Sequence, residues 1–126
     1  MMGYRSEVYI GVAFQSEADL KEVLAVYALD SRVQQYNIVP DWEGKEDNIL
    51  FYSCEDIKWY DSYGEVQGYE YLLTLVDKFN AERNMEVEYR FIRLGEDHND
   101  IEVREEYTDG KLWEAMQVIR TVEISL

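Results

Sequence analysis

Cysteine, histidine and proline each occur once in this chain of 126 residues, as Cys54, His98 and Pro40. With one cysteine no intramolecular disulfide can form, so a reducing compartment is the natural setting and a cytoplasmic location is expected. No stretch approaches the 18 or so apolar residues that a membrane-spanning helix needs. The opening Met1-Met2-Gly3-Tyr4-Arg5-Ser6-Glu7 lacks the apolar run of a secretory signal. The expectation is a protein that is neither secreted nor membrane-bound. Basic residues are also scarce: 12 Lys and Arg stand against 27 Asp and Glu, a balance of 12 − 27 = −15. That balance argues against direct binding of nucleic acid or of an anionic membrane, because phosphate contacts need Lys and Arg. Glycine-rich phosphate loops are missing too, with Gly11 and Gly95 isolated. No repeat, low-complexity tract or linker divides the chain, so residues 1–126 read as a single acidic domain.

What is present is enough apolar material, 47% of residues with eleven tyrosines, to bury a core without disulfides or metals. Val8, Ile10, Val12 and Phe14 alternate with Tyr9, Gly11 and Ala13, as in a strand. Ser16 stands three residues before Asp19, and both Glu17 and Asp19 suit the positive start of a helix. Leu20, Val23, Leu24 and Tyr27 then predict a helix to about Asp30. It continues or restarts through Val33 and Tyr36 before Pro40 stops it. Residues Asp41 to Asn48 read as a polar loop. Ile49 to Cys54 and Ile57 to Tyr60 flank Glu55-Asp56 and predict a hairpin, with Leu50, Tyr52, Cys54, Ile57 and Trp59 on a core face. The competing reading is one strand followed by an irregular segment, since Glu-Asp is a poorer turn than Asn-Gly. Val66, Tyr69, Leu72, Leu73, Val76 and Phe79 form a second helical stripe over Glu65 to about Asn80. Met85, Val87, Tyr89 and Phe91 alternate as a strand, and Ile101, Val103 and Tyr107 as another. Asp109-Gly110 signals a hairpin into Leu112 to Val118. The resulting expectation is an α+β fold, a ferredoxin-like βαββαβ with an added C-terminal β-hairpin. Two helices would cover one face of the antiparallel sheet, leaving the other to solvent or a partner.

The acids cluster in two segments. Asp41 to Glu70 holds nine acids and two lysines (2 − 9 = −7), and Glu96 to Asp109 holds seven acids and Arg104 (1 − 7 = −6). Within them Asp41, Glu43, Glu46, Asp47, Asp61, Glu65, Glu96, Asp97, Asp100, Glu102, Glu106 and Asp109 are candidate contacts for a basic partner. Glu102 and Glu106 flank Arg104 on one strand face at about 6.6 Å per two residues, a spacing at which carboxylates imitate a nucleic-acid backbone. A solvated, aggregation-resistant surface with charged edge strands is the ordinary use of such charge. Tyr60 and Tyr63 are candidates for an exposed aromatic patch. Arg93 continues the Val87, Tyr89 and Phe91 face and is expected to pair with a carboxylate at the strand end.

Catalytic and metal chemistry find little support. The run Glu96-Asp97-His98-Asn99-Asp100-Ile101-Glu102 has carboxylates and an imidazole, but Ile101 falls where an EF-hand places an oxygen ligand and the loop glycine is missing. Cys54, on a core face, reads as a small hydrophobe. Carboxylate pairs are too abundant to single out an acid and a base without a pocket. No catalytic residue, metal ligand or cofactor is assigned.

Ile57-Lys58-Trp59-Tyr60-Asp61 with Tyr63 and Val66, then Tyr89-Arg90-Phe91-Ile92-Arg93-Leu94-Gly95-Glu96-Asp97 and Asp100-Ile101-Glu102, resembles a group of small acidic phage and prophage proteins. The start Met2-Gly3-Tyr4-Arg5-Ser6-Glu7 is similar to the starts of such proteins as well. The likeness covers the N-terminus and roughly the second half of the chain. The group has no established activity, so the resemblance implies an origin and not a site: a phage accessory product acting in a bacterial cytoplasm. Such proteins often disable host machinery by binding it, and acidic ones sometimes do so by mimicking DNA. The expected function is therefore non-enzymatic binding to a basic, nucleic-acid-binding surface of a host protein, as an anti-defence inhibitor or DNA mimic. The alternatives are a carboxylate-rich metal-dependent enzyme acting on a small molecule or nucleotide, and a homodimeric structural protein whose acidity serves solubility.

Overall fold

The computed structural model describes residues 5–44, 47–97 and 99–106. Its elements run β1 (Ser6–Ala13), α1 (Glu17–Ala28), α2 (Ser31–Gln35), β2 (Trp42–Gly44), β3 (Ile49–Ile57), α3 (Gly64–Arg83), β4 (Glu88–Gly95) and β5 (Ile101–Glu106). The five strands form one antiparallel sheet in the order β2-β3-β1-β4-β5. The described residues form an α+β fold with three helices, one more than expected.

Ser16 caps α1 by accepting the Asp19 N–H at 3.1 Å. Asp30 ends any continuity with α2. Its carboxylate accepts the Arg32 and Val33 N–H groups and also grips the Arg32 guanidinium. The chain therefore restarts as a short second helix instead of prolonging the first. At its far end α3 stops on Asn84 in the left-handed conformation, φ 49°, which asparagine tolerates better than most residues.

The hairpin expected at Glu55-Asp56 is not there. β3 runs unbroken from Ile49 to Ile57, and its hairpin partner is β2, inside the segment read as a polar loop. Asp56 has φ 56°, and the pairing with β1 shifts register between Ser6 and Val8. The extra residue is thus absorbed as a bulge, which Glu-Asp accommodates more readily than a two-residue turn. The bulge also shifts the side-chain phase, so Ile57 falls on the same face as Leu50, Tyr52 and Cys54. Ile57 and Trp59 both pack against the main core, so the expected core face holds although its connectivity differs.

That core lies between one sheet face and the helices. Val8, Ile10, Val12, Leu50, Tyr52 and Phe91 of the strands meet Leu20, Val23 and Tyr27 of α1, Val33 of α2, and Leu72 and Val76 of α3. The Tyr27 hydroxyl donates to the Gly68 carbonyl at 2.8 Å, tying α1 to α3. The opposite face carries a smaller cluster of Ala13 and Ile92 with Tyr9, Ile49, Phe51 and Leu94. It is not the open surface expected from two helices on one side, because its centre is buried. The Asp109-Gly110 turn and the arm Leu112 to Val118 of the expected C-terminal hairpin lie outside the described residues. Among the described residues no helix is long and apolar enough to cross a membrane.

Burial makes the tyrosines a marker of folding. Desolvation pushes the phenols of Tyr27, Tyr52 and Tyr69 far above their ordinary range and that of Tyr9 to about 12. The Tyr52 hydroxyl is buried without a hydrogen-bond partner among the described residues. A raised phenol pKa favours the protonated form in the fold, so its stabilising contribution is complete below the unfolded value of about 10 and disappears as pH rises above it. Unfolding followed by circular dichroism should show stability falling steeply above about pH 10, with the buried phenols ionising together with unfolding. Early ionisation of all eleven tyrosines in an intact fold would contradict that.

Candidate functional site

Strand polarity decides where the charge goes. Ile57 pairs with Ser6, and Ser6 pairs with Gly95, so the end of β3, the start of β1 and the end of β4 lie side by side. The start of α3 and the β4–β5 turn therefore come to the same end of the sheet. This end gathers Glu55, Asp56, Asp61 and Glu65 from the first acidic segment and Glu96, Asp97, Asp100 and Glu102 from the second.

Three depressions mark that end. A cavity of about 290 Å³ brings Glu55 and Asp56 to Arg5, Glu7 and Glu96. A neighbouring one of about 330 Å³ places Lys58, Tyr63 and Glu65 beside the same Arg5, Glu55 and Asp56. The third and largest, about 600 Å³, is a cleft between the β3–α3 connection and the β4–β5 edge, lined by Trp59, Tyr60, Asp61, Glu70, Arg93, Asp100, Glu102 and Arg104. Its four carboxylates and two guanidiniums leave 2 − 4 = −2.

The arginines here are engaged by carboxylates of the chain itself. Arg93 makes a two-pronged contact with Asp100 at 2.9 and 3.0 Å, a third bond to Glu102 at 3.0 Å, and one to the Ser6 hydroxyl at 3.3 Å. The Asp100 pair raises the Arg93 pKa further, so its charge is permanent. This is the strand-end pairing expected of Arg93 from its position. Arg104 bonds Glu70, lies near Glu102 and stacks on the Phe91 ring at 4.0 Å. On the other side Arg5 donates its backbone N–H to Glu96 at 3.0 Å and a guanidinium N–H to the Asp56 carbonyl at 2.9 Å. Tyr60 and Tyr63 pack edge to face, with centroids 5.3 Å apart, and are 38% and 46% exposed. They stand between the clefts as an aromatic ridge.

The other candidate acids lie elsewhere or are spent on local structure. Glu43 and Asp47 belong to β2 and its turn, toward the start of β3 and away from the acidic end, whereas Asp41 precedes β2 and lies nearer that end. Asp41 braces β3 by accepting from the Ser53 N–H and hydroxyl. Glu106 pairs with Tyr89 at the far end of β5. Asp97, at the acidic end itself, also accepts the Asn99 N–H at 3.0 Å and shapes the β4–β5 turn. Glu46, Asp109 and His98 lie outside the described residues. Among the described residues no three His, Cys, Asp or Glu side chains come together as metal ligands. Cys54 is half-buried beside the core, where desolvation raises its thiol pKa.

Glu55, Asp56, Glu70, Arg5, Arg104 and Trp59 are not among the candidate contacts read from the sequence, and each belongs to this end. Glu55-Asp56 was assigned to a turn, and nothing in the spacing links Glu70 on α3 to Arg104 on β5. No family model, curated protein or solved structure matches the chain.

Proposed function

We propose that the chain is a non-enzymatic binding protein that engages a basic, nucleic-acid-binding surface of another protein through the acidic end of its sheet. The observation that carries this reading is the convergence of two acidic segments, distant in sequence, on one end. With Glu7 and Glu70, ten carboxylates stand there against Arg5, Lys58, Arg93 and Arg104, a balance of 4 − 10 = −6. Neighbouring charges within the Debye length of about 8 Å act together on an approaching partner. The exposed Tyr60–Tyr63 ridge supplies the apolar contact that interface centres favour. Mimicry of DNA is the form this binding takes in our reading, with carboxylates on turns and strand ends standing in for phosphates. The resemblance to phage proteins makes the partner a host protein and the setting a bacterial cytoplasm.

We read the connectivity as ferredoxin-like. In support, β2-β3-β1-β4 is the spatial order of a split βαβ arrangement, with α1 and α2 between β1 and β2, α3 between β3 and β4, and β5 added at the β4 edge.

The test is capture of partners from bacterial lysate at low and high salt, with the wild-type chain and two variants. A chain carrying Asp61→Asn, Glu65→Gln, Glu96→Gln and Asp97→Asn should bind a basic partner at least tenfold more weakly at low salt, about 1.4 kcal/mol. Glu43→Gln with Asp47→Asn, at the opposite edge, should bind like wild type. Equal binding by all three, or retention that ignores salt, would remove the proposal.

A further inference from the structure

The largest cleft of the acidic end is walled by aromatic rings as well as by charge. Trp59 is half-buried, and its ring leans on Tyr69 and Phe91 with centroids 6.0 and 5.6 Å away. Tyr60 is held edge to face by Tyr63. Both rings are fixed by their neighbours, so this wall stands ready before anything binds. The charges differ in what they leave uncommitted. Arg93 takes Asp100 and Glu102, and Arg104 takes Glu70 together with Glu102. That uses both cations and three of the four carboxylates. Asp61 is the remainder. It is exposed on the turn beside Tyr60, and its carboxylate has no ion pair or hydrogen bond among the described residues. Its backbone carbonyl alone accepts from the Gln67 side-chain amide, at 3.1 Å.

We propose that this cleft receives one arginine side chain of the basic partner, its guanidinium lying against Trp59 and Tyr60 and gripped by the Asp61 carboxylate. This selection rests on the acidic end being the binding surface, and it deepens that reading from net charge to a residue type. An anion finds both arginines of the cleft already neutralised by carboxylates. A bare divalent ion needs several carboxylate oxygens at once, and three of the carboxylates here are held by arginines. A planar cation uses what is left, two rings and one negative charge. The cleft already shows this chemistry on its own residues. Arg104 lies 4.0 Å over Phe91 while bonded to Glu70, and Arg93 makes a two-pronged contact with Asp100. Arginine is favoured over lysine because a weakly hydrated guanidinium stacks on rings and pairs with a carboxylate through two N–H groups, whereas an ammonium is a strongly hydrated point charge. At about 600 Å³ the cleft has room for the side chain and its stem, within the roughly 300–1,000 Å³ of ligand sites.

Magnetic resonance titration of the full chain with two peptides of equal length and charge, one built on arginine and one on lysine, tests this. The indole Nε1–H signal of Trp59, identified as the one lost in Trp59→Phe, should move and saturate with the arginine peptide. About tenfold more lysine peptide should be needed for the same shift. Asp61→Asn should weaken the arginine peptide's effect about tenfold. Glu65→Gln, in the neighbouring depression, should stay within about twofold of wild type. Equal response to both peptides, a Trp59 signal that stays put, or Asp61→Asn titrating like wild type would overturn the proposal. Salt-sensitive capture of a partner from lysate beside an unmoved Trp59 signal overturns the arginine cleft alone, whereas a lysate that yields no partner overturns the surface reading beneath it.

Discussion

Replacing Phe91 with alanine is expected to lower the unfolding free energy by about 4 kcal/mol, within the range for removing a buried aromatic ring. Phe91 is fully buried in β4, paired with Ile10 on one side and Arg104 on the other. Its ring meets Trp59 at 5.6 Å and carries the Arg104 guanidinium at 4.0 Å. The substitution therefore opens a ring-sized void, removes a cation–π contact of about 1 kcal/mol, and loosens Trp59, which anchors the connection bearing Tyr60 and Asp61. Denaturant titration should show a lower midpoint with an unchanged slope. Phe91→Leu, which keeps most of the volume, should lose about 1.5 kcal/mol or less. A loss under 2 kcal/mol for the alanine variant would mean that the core around Trp59 closes over the gap.

Arg93→Ala is expected to cost about 2 kcal/mol, less than the loss of a partner from a fully buried ion pair because water reaches Glu102 and Asp100. Arg93 is the only cation bonded to Asp100 among the described contacts, and it also holds Glu102 and Ser6. Without it the Asp100 and Glu102 carboxylates, two residues apart at the start of β5, lose the cation that bridges them, and Arg104 remains beside Glu102. For a domain of this size the melting temperature should fall by roughly 8 °C or more. Salt dependence identifies the cause: the gap between variant and wild type should narrow as ionic strength rises and screens the repulsion. A gap that ignores salt would point to lost packing along the Arg93 stem instead. Arg93→Lys should recover part of the loss, since an ammonium cannot reproduce the two-pronged contact.

Local signals were legible where one residue type has one structural use. Ser16 capped a helix, and the alternation from Val8 to Val12 and from Val87 to Phe91 put the right side chains in the core. The helix expected to continue until Pro40 stopped it ended instead at Gln35, before Asn37 with φ 52°. The pairing of Arg93 with nearby carboxylates could be read from its place at a strand end. The Glu55-Asp56 hairpin failed because local spacing cannot tell a turn from a bulge. Only the pairing of β3 with both β1 and β2 decides that, and β2 is too short to announce itself within a polar segment. Glu70 and Arg104 meet from 34 positions apart, a distance over which side-chain periodicity carries no information.

The large negative charge, the mixed helix-and-strand content and the identity of most core residues follow from the sequence alone, because charge is additive and burial tracks local apolar periodicity. Whether that charge forms a surface is a question of strand order and polarity. Antiparallel pairing of β1 with β3 and β4 brings the β3–α3 connection and the β4–β5 turn to one end, and the pairing of β2 with the start of β3 sends Glu43 and Asp47 toward the other. The charge therefore divides into one concentrated end, where ten carboxylates surround three arginines and a lysine, and scattered acids that shape turns and edges. Coulomb repulsion alone would have spread it evenly; the register of the sheet gathers it, because core burial stabilises that register by more than the repulsion costs.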